Sequence, residues 1–183
     1  MILDNLLLFT GSSNGTTGGI TSGPNTDAPT ASANATNTID LGLAGLPGSA
    51  AGGGARDIGV GDDPALKLMA VVTASFTGLT SIQLTLSGAP DSGTGTPGAY
   101  TVMWTGPAVA AANAIQGAFL ANVDVPRQVP GQPLPRFLRL GYVIAGTGTG
   151  GSVEAGIVLD EIRQPMGAAG ALGGYPPGIL INN

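Results

Sequence analysis

The chain has 183 residues, enough for one domain with a hydrophobic core, and 9% of them are charged against 43% apolar. Its surface must therefore consist largely of Thr, Ser, Gly, Ala and Asn, far from the mixed charges of an ordinary solitary domain. A net charge of −5, with six basic residues spread from Arg56 to Arg163, argues against nucleic acid as a partner, and the absence of Cys and His closes most familiar catalytic and metal sites.

Such a surface suits a subunit held inside an assembly. It also suits a Gly/Thr-rich secreted or virion β-protein without a special partner. The first stretch, "MILDNLLLF", is apolar but has no basic leader and contains Asp4 and Asn5, so it is not expected to be a signal peptide. No run approaches the roughly 20 apolar residues of a membrane helix. The expectation is a protein made and kept in a cytoplasm until it joins an assembly, with no membrane partner.

The apolar residues alternate with period two, the mark of strands with one buried face. "LLLFTG" and "NTIDLG" are the first two predicted strands. Residues 42–55, "GLAGLPGSAAGGGA", read as an inserted flexible loop, because Gly and Ala offer little to pack. "ARDIGVGDDP" follows at 55–64 and gathers Asp57, Asp62 and Asp63. These acids could bind Ca²⁺, but they lack the alternating acidic spacing of a calcium loop, and Asp-Asp-Pro is turn chemistry. A turn leading into the next strand is the favoured reading.

"ALKLMAVVTA" then places Leu66, Leu68, Ala70 and Val72 on one face, and "LTSIQLTLS" does the same with Ile82, Leu84 and Leu86. Residues 88–99 read as a long turn. "AYTVMWT" and "GAFLANVDV" are further strands, and the Ala-rich segment between them is open to a short helix or to none. In "RFLRLGYVIA", Leu138, Leu140, Tyr142 and Ile144 oppose Phe137, Arg139 and Val143. "SVEAGIVLD" sets Val153, Ala155, Ile157 and Leu159 against Glu154 and Asp160. Between these two, "GTGTGG" at 146–151 has the spacing of a dinucleotide fingerprint, but a strand and not a helix follows it. A hairpin loop is expected there, with no cofactor.

The pattern predicts an all-β fold: an antiparallel β-sandwich or jelly roll of about eight strands with extended N- and C-terminal segments. The domain is expected over residues 1–163, with a C-terminal extension at 164–183. No acid has a visible partner across a cleft, so the chain is not expected to be an enzyme. Trp104 and the three tyrosines are too scattered for a carbohydrate-stacking groove. The two apolar ends supply the candidate self-association or docking contacts with a neighbouring subunit: Ile2, Leu3, Leu6, Leu7 and Phe9 at one, Tyr175, Ile179, Leu180 and Ile181 at the other.

"MILDNLLLF", "TNTIDLG", "RDIGVGDD", "RFLRLGYVIAGT" and "GSVEAGIVLD", taken in that order from Met1 to Asp160, resemble the jelly-roll cement (capsid decoration) proteins of tailed bacteriophages. The resemblance implies a self-associated module on the outer surface of an icosahedral head, clamping neighbouring major capsid subunits and stabilising the shell. Its implied partners are the major capsid protein of the same phage and itself, as a dimer first and a trimer second. The sequence departs from that pattern at the 42–55 insert, the Ala-rich stretch and the tail. The competing expectation is a carbohydrate- or receptor-binding jelly-roll module of the virion, which would show exposed aromatics or a calcium-dependent loop.

Overall fold

The computed structural model describes residues 7–11, 26–41, 66–126 and 130–158. The 42–55 insert, the "ARDIGVGDDP" segment and the 164–183 extension lie outside the described residues. The fold is all-β and antiparallel, as the alternation predicts. Its strands are β1 (Ala33–Asp40), β2 (Lys67–Ala89), β3 (Thr101–Thr105), β4 (Val109–Ala110), β5 (Phe119–Asp124) and β6 (Phe137–Val158). They form one six-stranded sheet in the order β1-β6-β2-β3, with β4 and β5 also paired to β2.

The centre of the sheet is the pairing of β2 with β6, which runs from Lys67 opposite Val158 to Ala89 opposite Phe137. Each strand contains two of the segments predicted as separate strands. Their joints are irregular: the register shifts repeatedly between Val72 and Ser81. At this bend Gly78 has φ +80° and Gly151 has φ +120°, conformations that side chains with a Cβ rarely adopt. A Cβ on Gly78 would stand 2.7 Å from the Thr147 carbonyl oxygen, and one on Gly151 would stand 2.3 Å from the Phe76 ring. The hairpin loop expected at "GTGTGG" is therefore not formed. The segment is the midpoint of β6, paired with the Gly78 region of β2, where the whole ribbon bends.

The bend turns the two arms toward one core. Leu68, Ala70 and Val72 from one arm of β2 join Ile82, Leu84 and Leu86 from the other. In β6 the inward residues are Leu138, Leu140 and Tyr142 on one side of the bend and Val153, Ala155 and Ile157 on the other. Their parity switches from even to odd, as one extra residue in the bend requires. Among the described residues the predicted inward faces hold, Phe137 is buried as well although the alternation sets it on the opposite face, and four segments expected as short strands form two long ones. The Ala-rich stretch contributes a single 3-10 turn, Ala111–Asn113, after which Ala114 enters the core.

β5 flanks one arm of β2, and β3 and β4 flank the other. β1 lies beside residues 137–142 of β6. The seam between β1 and the far arm of β6 is stitched by residue 9: Phe9 N–H donates to the Ala155 carbonyl at 2.9 Å, and its own carbonyl accepts from Asn37 N–H at 2.8 Å.

Candidate interaction surface

Of the candidate contacts near the start of the chain, the structure describes two. Leu7 is half-buried against the core, and Phe9 is fully buried within it. Phe9 is therefore occupied by the protein's own interior and is not part of an outward surface. Leu8, its neighbour, bridges to Gly156, and the Thr10 hydroxyl accepts from Ala155 N–H at 2.9 Å. "LLLFTG" supplies an isolated bridge and a core plug in place of a strand. Ile2, Leu3, Leu6, Tyr175, Ile179, Leu180 and Ile181 lie outside the described residues.

Beside this plug sits a buried acid that the sequence did not mark. Asp27 exchanges two backbone hydrogen bonds with Val153 of β6, both 2.9 Å. One carboxylate oxygen, Oδ1, accepts from Gly11 N–H at 3.2 Å and from the Thr36 hydroxyl at 2.6 Å. The other, Oδ2, accepts from Thr36 N–H and from the Tyr142 hydroxyl, each at 3.0 Å. All the acceptor capacity of the carboxylate is used. Burial, and then the adjacent Asp27 charge, push the Tyr142 hydroxyl well above the ordinary phenol range. A shallow open recess borders the pair, but its acid is already saturated by the chain's own donors.

At the other end of β1, Arg136 is the centre of a second knot. Its guanidinium donates to both oxygens of Asp40, at 2.8 and 3.0 Å, and to Asp91, and it lies over the Phe137 ring. Asp91 in turn accepts from Gly93 and Gly95 N–H at 2.9 Å each, folding residues 90–98 into a compact turn. The Gly93 bond above all, with Gly95 and Arg136, holds the Asp91 carboxyl below its ordinary range despite partial desolvation. Hydrogen bonding to Asp40 is the main cause that keeps Arg136 more firmly protonated than usual. The predicted long turn is present, fixed by an ion pair that the spacing alone did not reveal.

The outer face of the sheet is built from small polar side chains. Gln83 and Thr85 point outward between the buried Ile82, Leu84 and Leu86, and Val143 is the exposed apolar residue opposite Gln83. Val102 on β3, Phe119 on β5 and Ile115 and Leu134 on loops are also exposed. Arg139 projects from this face and lies 3.8 Å from the centre of the Tyr100 ring. Lys67 pairs with Asp124 at 2.8 Å. Among the described residues there is no group of three His, Cys, Asp or Glu placed to hold a metal ion, and no helix long and apolar enough to cross a membrane.

Residues 24–157 match the model of the Bbp16 family, which covers every strand but for the last residue of β6. The chain belongs to the Bbp16 family, a phage-related family, and is a phage-related structural protein. A search of curated proteins finds no match.

Proposed function

We propose that this protein is a capsid cement protein, which binds the outside of a tailed-phage head and clamps neighbouring major capsid subunits without catalysing a reaction. The observation that carries this reading is the family match over residues 24–157 of a compact β-module. The physical character of the module supports it. An expanded shell gains from many copies of a rigid clamp, because linked weak contacts sum to high avidity. A surface with few charges loses little on desolvation at each contact. The partners under this reading are the major capsid protein of the same phage and a second copy of this chain.

Co-sedimentation of the purified protein with undecorated heads of its phage, before and after expansion, tests it. Saturable binding at a fixed ratio to the major capsid protein is expected. Absence of binding to both forms of the head sinks the reading.

A further inference from the structure

Arg139 differs from every other cation among the described residues. Lys67 and Arg136 each have carboxylate partners, whereas Arg139 has none within ion-pair distance among the described residues and lies against the Tyr100 ring. This occurs in a chain where acids outnumber bases by 11 to 6. Of the acids among the described residues, Asp27, Asp40, Asp91 and Asp124 are engaged elsewhere.

Arg139 is half-buried and borders exposed residues of the sheet. Cross-strand pairing sets Thr38, Arg139, Ser87 and Val102 in one row, in which Thr38 and Val102 are exposed, Arg139 is half-buried and Ser87 is buried. Val102 is 53% exposed. The next position of β6 on the same face is Gly141, where the Thr85 side chain packs in place of a Cβ, which would stand 2.7 Å from the Thr85 Oγ1. The result is a planar cation whose N–H donors have no acceptor among the described residues, with an aromatic ring against it and an exposed aliphatic neighbour in the same row.

Stacking on an aromatic ring removes much of the freedom that a long side chain would otherwise lose on binding. The planar fork of donors matches a carboxylate with two parallel hydrogen bonds. Arg and Tyr are also the residue types that dominate binding energy when they sit in an interface.

We infer that the Arg139–Tyr100 stack, with Val102 beside it, is a docking point for a carboxylate side chain of the shell subunit that this protein clamps. The inference rests on the cement reading for the identity of the partner; the carboxylate chemistry rests on the structure alone. Phosphate on nucleic acid is disfavoured by the chain's net charge of −5.

Two measurements test it separately. In the full-length protein, N-acetylglutamate is titrated while the Nε–H signals of the arginines are followed by NMR. The Arg139 signal is expected to shift saturably, the Arg136 signal to stay in place, and Tyr100→Leu to weaken the response. An Arg139 signal that does not move, or moves no more than that of Arg136, overturns the docking point whatever the heads do. In co-sedimentation with the undecorated heads, Arg139→Gln is expected to lower affinity at least tenfold and Arg139→Lys to restore part of it. Equal binding by wild type and Arg139→Gln overturns the assignment to the shell. Heads that bind neither protein overturn the cement reading and, with it, the shell as partner, and the titration then decides the carboxylate site by itself.

Discussion

Replacing Asp27 by Asn preserves the shape of the side chain and turns one of its two acceptor atoms into a donor. With the amide nitrogen at the Oδ1 position, the Thr36 hydroxyl can rotate to accept, but Gly11 N–H faces another donor. With the nitrogen at the Oδ2 position, the Tyr142 hydroxyl can accept, and Thr36 N–H loses its partner. Either orientation orphans one backbone donor, a cost of about 1–3 kcal/mol, and the remaining bonds lose the extra strength of a charged acceptor. The expected destabilisation is about 2–3 kcal/mol, or roughly 4–12 °C in Tm for a chain of this size. Urea unfolding with matched m-values measures it. Tyr142→Phe alone should cost about 1 kcal/mol, and the double variant should cost less than the two singles added, since they share one carboxylate. An Asp27→Asn protein within about 0.5 kcal/mol of wild type would refute the view that this acid ties residues 10–11, β1 and β6 together.

Phe9→Ala removes a fully buried ring from the seam and should destabilise by about 3–5 kcal/mol in the same unfolding assay, while an effect near zero would make residues 7–11 dispensable. Gly151→Ala should be poorly tolerated, because its Cβ meets Phe76 at 2.3 Å and its φ is +120°. Gly117→Ala, at φ +85° with open space around it, should cost only about 1–2 kcal/mol, and thermal melting of the two variants reads the difference. The raised Tyr142 hydroxyl stabilises the fold while the phenol stays protonated. That contribution is complete below the unfolded phenol value and declines as pH rises above about 10, with a limiting slope of about 1.4 kcal/mol per pH unit. Tyr142→Phe should flatten this part of the alkaline stability profile, and an unchanged profile would remove Tyr142 from the account.

The parts of the fold that the alternation displays are those where burial follows from the strand period alone. Ile82, Leu84 and Leu86, and likewise Leu138, Leu140 and Tyr142, face inward as read. The continuity of β2 and β6 was hidden because the glycines of a bend and those of a turn look alike along one chain. The Gly78 region becomes a bend only through its pairing with residues 146–150 on the opposite strand. Phe9 illustrates a second limit: an aromatic residue in an apolar terminus has the same composition whether it reaches a neighbour or fills its own core. The interaction surface was less legible still. Tyr100 and Arg139 are far apart in the chain, and only the pairing of β3 and β6 on either side of β2 brings them together. Alternation sets Arg139 on the face of its strand opposite Leu138 and Leu140, yet it says nothing of what such a side chain rests on. Asp27 stands alone among polar residues and carries no spacing signal at all.

The doubling back of β2 and β6 has a mechanical meaning. In a sandwich made of separate strands, the two layers are joined by loops and by contacts between side chains, so shear can slide one layer over the other. Here two central strands pass from one layer into the other without interruption, side by side and hydrogen-bonded. A tangential load applied to one layer is transmitted to the other along peptide bonds. The layers can part only by hinging about the glycine bend, and Phe9 and Asp27 fasten the side that would have to open.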